Sequence, residues 1–293
     1  MELKLIINDF LENLLKIGRF SGNTHKSYQR DLLDFQLFCD AKSVSDITAV
    51  TEKIVRAYII QMNLNSLKYQ TSTISRKLSA LRSLFNYAVK NDLIEISPLS
   101  SIPNPRVKRK LPEVAPESSL DKISEDLLRE NKLMYNALFE VLYCTAIRVS
   151  ELCSLNMGDI DFDRGSVRIT GKGSKTRVVP IGKETLGVLR KYLDSKAVLK
   201  YNDPIFLTPK NKRIYPRYVY RIINRYLSKE KILKKNSPHI LRHTAATHML
   251  DHGADLLAVK EILGHESLST TQIYTHVSVE RLKAIYKQAH PKS

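Results

Sequence analysis

Pro98, Pro103, Pro105, Pro112 and Pro116 fall within nineteen residues, and no other feature of the sequence constrains the fold as much. A proline lacks the amide hydrogen and has a fixed φ, so this stretch can be neither regular helix nor central strand. It divides the 293 residues into two parts, each near the ~100–200 residues usual for one domain. The same stretch holds Arg106, Lys108, Arg109 and Lys110. It reads as an extended basic linker over residues 97–112, between a domain at 1–96 and a second at 113–293. Such a linker suits crossing a phosphate backbone, although solubility alone explains its charges equally well.

The first domain reads as helix only. Leu3, Ile6, Ile7, Phe10, Leu11, Leu14 and Leu15 recur at three- and four-residue intervals, the stripe of an amphipathic helix. Tyr28, Leu32, Phe35 and Phe38 form a second stripe after the capping-type start Ser21-Gly22-Asn23-Thr24. Further helices are predicted near Glu52–Leu64 and Ser72–Lys90, the latter with Ile74, Leu78, Leu81, Leu84, Phe85 and Ala88 on one side. Arg76, Lys77 and Arg82 lie off that side, where they face either phosphates or plain solvent.

The second domain reads as mixed α/β. Helices are predicted near Lys132–Thr145 and from Val149. Two β-rich runs, Ser166–Thr170 and Thr176–Ile181, are joined by Gly171-Lys172-Gly173-Ser174, which signals a hairpin. Ile205–Leu207 is a candidate further strand, and from Tyr215 the pattern is helical, broken at Pro238 and Gly264. The expected fold is therefore an all-α domain followed by a mainly helical one with a small antiparallel sheet.

Charge narrows the partner. Lys and Arg number 47 against 30 acidic residues, a net of +17. Residues 1–105 carry 13 basic and 10 acidic groups, whereas 106–293 carry 34 and 20, so the surplus sits in the C-terminal part. That balance points to a polyanion, because phosphate contacts dominate nucleic-acid affinity. No run approaches the ~18 apolar residues of a membrane span. Glu2, Asp9 and Glu12 interrupt the first apolar segment, against a signal peptide. With no spanning run no membrane partner is expected, and Cys39, Cys144 and Cys153, odd in number and without metal spacing, fit a reducing cytoplasm better than a disulfide framework.

Four short stretches carry chemistry: Thr145-Ala146-Ile147-Arg148-Val149-Ser150-Glu151-Leu152, the hairpin at Lys172, His239-Ile240-Leu241-Arg242-His243, and Leu263-Gly264-His265 followed by Tyr274. Singly, each has a plain structural explanation. Arg148 and Glu151 could be a surface ion pair, Lys172 a turn tip, His239 a helix cap and Tyr274 a core aromatic. Six of the eight histidines lie between residues 239 and 276. The pairs His239/His243 and His248/His252 have zinc-compatible spacing, but neither encloses the Glu of His-Glu-x-x-His, so no metal is expected. The Gly-Lys-Gly-Ser hairpin lacks the spacing of a nucleotide-binding loop.

In this order the residues resemble the active-site signature of the tyrosine recombinase, or phage integrase, family, and within it the Xer branch. The resemblance covers nearly the whole chain: the helical N-terminus is similar to the core-binding domain and the remainder to the catalytic domain. One departure is Ala146, where many relatives have Gly. The resemblance implies that Tyr274 attacks a DNA phosphate, with His239 as general base and His265 donating to a phosphate oxygen. Arg148 and Arg242 would neutralise the transition state with forked donors, Glu151 would orient Arg148, and Lys172 would protonate the leaving 5′ oxygen. It also implies double-stranded half-sites gripped in a clamp, a homo-tetramer on DNA built from free monomers or dimers, and no cofactor. Phage or mobile-element integrase, a type IB topoisomerase and a non-catalytic DNA-binding module are the rival readings. In the tail, Val279, Leu282, Ile285 and Tyr286 form another apolar stripe. It either folds back or, as the resemblance implies, docks on a neighbouring protomer.

Overall fold

Regular apolar spacing becomes four helices at the N-terminus. The computed structural model describes residues 1–16, 22–64, 69–105, 113–171, 176–196, 199–230, 236–264 and 285–291. Within the first unit, Met1–Lys110, these helices are α1 (Leu3–Lys16), α2 (Gly22–Asp40), α3 (Glu52–Leu64) and α4 (Thr71–Lys90). Their apolar faces meet around Phe35, which packs on Tyr58 at 5.1 Å and Phe85 at 6.4 Å between ring centroids. Leu15, expected on the buried stripe of α1, is instead exposed. The expected linker starts inside this unit, because Leu99 and Ile102 are buried in its core. Arg106, Lys108, Arg109 and Lys110 lie outside the described residues.

Arg76, Lys77 and Arg82 of α4 all have partners within their own unit, and Lys77 alone is buried. Lys77 is only 4% exposed, and its ammonium pairs with Asp34 at 2.8 Å and Asp31 at 3.5 Å. Arg76 pairs with Asp31, and Arg82 donates to the Asn104 side chain and the Ile102 carbonyl. Burial pushes the Asp31 carboxyl up despite its two cations. Asp34 is also pushed up by burial, but hydrogen bonds from Lys77, Tyr58 and Tyr69 bring it below the ordinary carboxylate range. A buried pair broken on one side leaves an uncompensated charge, so Lys77→Ala is expected to cost about 3–5 kcal/mol. A solvated lysine would cost less than about 0.5 kcal/mol. Urea unfolding of the variant distinguishes the two.

The second unit, Leu111–Ser293, is built on an apolar helix. α5 spans Glu117–Arg129, and α6, Leu133–Thr145, is buried at every residue from Asn136 to Thr145. A helix apolar all round belongs in the middle of a domain. Next come α7 (Val149–Ser154), β1 (Ile160–Asp161), β2 (Ser166–Thr170), β3 (Thr176–Pro180), α8 (Lys183–Asp194), α9 (Pro216–Lys229), α10 (Pro238–Asp251) and α11 (Leu256–Leu263). The strands form one antiparallel sheet in the order β1-β2-β3, with Ile160 opposite Val167 and Val167 opposite Val179.

Two expectations shift. Ile205–Leu207 is not a strand; Leu207 makes an isolated bridge to Arg213 and Pro204 one to Asn156. Pro204 has no amide hydrogen to extend a ladder, and the third strand is the two-residue β1, too short to show alternation. Prolines also start helices here rather than end them. Pro116 is the N-cap of α5, while Pro216 and Pro238 open α9 and α10, positions where the missing N–H costs nothing. Among the described residues no helix is long and apolar enough to cross a membrane.

Candidate active site

A left-handed turn sets up the first arginine. α6 ends at Ala146, buried with φ +48°, and α7 begins directly after Arg148. A residue with a Cβ pays about 1–2 kcal/mol there relative to glycine, which is the physical content of the Ala-for-Gly departure. Glu151 lies one turn into α7. Its Oε2 accepts the Arg148 backbone N–H at 2.7 Å, and its Oε1 accepts from Arg148 Nη1 at 2.9 Å. The backbone bond seals the start of α7, and the side-chain bond aims the guanidinium.

The second arginine comes from α10. Arg242, 9% exposed, donates through Nη1 to the Ala146 carbonyl at 2.7 Å and through Nη2 to the Leu263 carbonyl at 2.6 Å. The end of α11 then gathers three arginines on three successive carbonyls. Ile262 accepts from Arg177 Nε at 3.0 Å, Leu263 from Arg242, and Gly264 from Arg148 Nη2 at 3.2 Å. The carbonyl end of a helix carries partial negative charge, which favours cations there. Gly264 closes α11 at φ +62°, and a Cβ on it would lie 3.0 Å from the Arg177 guanidinium, so any other residue there is strained and crowds Arg177.

Two guanidiniums, of Arg148 and Arg177, therefore pair with one carboxylate, and a third, of Arg242, is fixed on neighbouring carbonyls. Burial pushes the Glu151 carboxyl up, but hydrogen bonds from Arg177 and from the Arg148 backbone outweigh it and hold the group below the ordinary carboxylate range. Burial first, and Arg148 second, lower the Arg242 guanidinium to about 10. It stays charged at neutral pH. The cluster carries surplus positive charge and fits an anion with several oxygens.

His239 is exposed on the first turn of α10, three residues before Arg242. Lys172, His265 and Tyr274 lie outside the described residues. Two features escaped the sequence reading. Arg177 on β3 grips Glu151 from 26 residues away, and only its place in an otherwise apolar run hinted at a special role. α9 packs against α7 and α10 and bears exposed Arg217, Arg221 and Arg225, whose four-residue spacing was a readable signal of a basic face.

Other histidines have protein partners. His248 is buried with Nδ1 2.8 Å from the Tyr143 hydroxyl, and His252 lies 3.6 Å from Glu117. Among the described residues no three His, Cys, Asp or Glu side chains come together as a metal site. Of the tail stripe, Val279 and Leu282 lie outside the described residues. Residues 285–289 are helical and pack on their own unit, with Tyr286, Ala289 and His290 each at most 3% exposed. The Tyr286 hydroxyl reaches Cys144 Sγ at 2.5 Å and the Cys144 carbonyl at 3.2 Å, inside the core of the unit.

Comparison with known proteins matches this arrangement. Residues 116–281 match the model of the phage integrase family, and residues 7–92 match the phage integrase N-terminal SAM-like domain. Tyrosine recombinase XerC of Thermodesulfovibrio yellowstonii is 36% identical, covering 98% of this chain and 96% of that protein. Tyrosine recombinase XerD of Listeria monocytogenes is also 36% identical, over 98% and 99% respectively. A solved structure of XerH site-specific recombinase bound to palindromic difH substrate, a post-cleavage complex, is 25% identical with a TM-score of 0.70, covering 89% of this chain and 78% of that one. The chain belongs to the phage integrase family and is a tyrosine recombinase.

Proposed function

We propose that this chain is a Xer-type site-specific recombinase that acts in the cytoplasm on duplex DNA and resolves chromosome dimers as a tetramer. The observation that carries the reading is the pair of guanidiniums, Arg148 and Arg242, drawn from different helices and fixed on adjacent carbonyls of one helix end. Two forked cations at one place suit the non-bridging oxygens of a pentacoordinate phosphate. Near full-length likeness to proteins named XerC and XerD supports the Xer assignment.

In this reading the Tyr274 oxygen bonds to phosphorus as the bond to the 5′ oxygen breaks. His239 takes the phenolic proton, Lys172 gives one to the departing 5′ oxygen, and His265 donates to a non-bridging oxygen. The 3′ end is held as a phosphotyrosine until a 5′ hydroxyl from the second duplex attacks it, which reverses the same proton transfers. Bond energy is conserved, so joining needs no nucleotide. The exposed arginines of α9 would meet the backbone beside the site, each phosphate contact adding about 0.9 to the salt slope.

The test is covalent trapping on nicked duplex DNA in excess EDTA, followed by peptide mapping. An SDS-stable adduct on the peptide containing Tyr274 is the expected result. An adduct on another peptide, or one that EDTA prevents, would overturn the assignment.

A further inference from the structure

We propose that Arg177 is a positioning residue which, by sharing Glu151 with Arg148, leaves Arg148 with net positive charge for the scissile phosphate. The inference rests on the recombinase reading of this site. Glu151 accepts four hydrogen bonds. Oε1 takes one from Arg148 Nη1 and one from Arg177 Nη1, both 2.9 Å. Oε2 takes one from Arg177 Nη2 at 2.8 Å and one from the Arg148 backbone at 2.7 Å.

The two arginines use the carboxylate differently. Arg177 grips it with two parallel N–H donors, the stronger geometry, whereas Arg148 spends a single guanidinium nitrogen on it. Exposure follows the same division: the side chains of Glu151, Arg177 and Arg148 are 5%, 15% and 40% exposed. The buried pair thus holds most of the negative charge, and the half-exposed guanidinium is aimed without being neutralised. With Arg177 absent, the same carboxylate would pair with Arg148 alone and cancel its charge, and partial burial makes that cancellation effective.

Arg177 also ties the site together mechanically. It stands one residue into β3, and its Nε holds the Ile262 carbonyl. The next two carbonyls hold Arg242 and Arg148. Three donor positions of Arg177 point at protein acceptors, so it acts through Arg148 and not on the substrate.

The wild-type chain first selects its own probe, by covalent trapping from a pool of nicked duplexes of randomised sequence. On the recovered duplex, Arg177→Gln is expected to form adduct about 100-fold more slowly, the scale of a misplaced catalytic group, with gel-shift binding nearly unchanged. Adding Glu151→Gln removes the carboxylate that cancels Arg148, so the double variant recovers much of the lost rate. A methylphosphonate at the scissile position needs less positive charge, and on it the gap between wild type and Arg177→Gln narrows. If Arg177→Gln fails to fold, Arg177→Lys, which keeps the charge without the fork, carries the same comparisons. An unimpaired variant overturns the inference alone. So does an equal deficit on both substrates with no recovery in the double variant, which marks a purely structural role. No adduct from wild type on any duplex overturns the recombinase reading, and the inference with it.

Discussion

Arg242→Ala is expected to cleave DNA at least about 100–1,000-fold more slowly, the scale of one lost oxyanion donor, while its catalytic unit remains folded. Two effects on stability oppose each other. The native guanidinium is buried beside Arg148, which lowers its pKa to about 10, so its charge is costly to keep. That cost is complete below pH 10 and fades as pH rises towards the ordinary 12.5. Removing the side chain relieves it at neutral pH. In exchange, the carbonyls of Ala146 and Leu263 lose their Arg242 donors, at about 1–3 kcal/mol for each buried group left unsatisfied. The net loss of stability is therefore expected to be modest while the chemical loss is large. Urea unfolding beside adduct kinetics measures both. Arg242→Lys keeps charge but cannot fork between two carbonyls and a phosphate, so it should remain severely impaired. A lysine variant as fast as wild type would remove Arg242 from the transition state.

Ending the chain after Ser278 is expected to lower the melting temperature of the catalytic unit by about 6–20 °C. The segment removed includes Tyr286, Ala289 and His290, all buried against their own unit. His290 stacks on Tyr286 at 4.8 Å and lies 5.1 Å from the Tyr143 ring, so the tail is part of the core around α6. Loss of a large buried aromatic costs about 3–5 kcal/mol, and each kcal/mol moves the midpoint about 2–4 °C in a unit of this size. The damage would fall on Cys144 and the end of α6, four residues before Arg148. Tyr286→Ala should reproduce most of the shift in the full-length protein. An unchanged midpoint, with loss confined to cooperative binding at paired half-sites, would mean that the tail works on a neighbouring protomer.

The resemblance of the motifs was legible because the residues that carry it act over one helical turn. Arg148 with Glu151, and His239 with Arg242, stand three apart in the sequence. The apolar stripes of α1, α2 and α4 were legible for the same reason: their period reports the helix directly. Lys77 shows where this stops. Its position off the stripe of α4 suggested solvent, yet Asp31 and Asp34 of α2 come over it and bury its charge. Periodicity says which face of an element is apolar, but not what covers the polar flank. The tail poses the same question. Ile285 and Tyr286 were readable as residues with an apolar face to bury, while only packing chose their own unit.

The Arg177–Glu151 fork joins groups 26 residues apart, and Arg148 reaches the Gly264 carbonyl across 116. Local spacing determined which residue types could carry phosphate chemistry and on which helices they stand. Tertiary structure decided how two of three arginines share one carboxylate and all three share one helix end. Backbone carbonyls carry no sequence letter, and hydrogen-bond geometry between distant segments exists only once the core has packed.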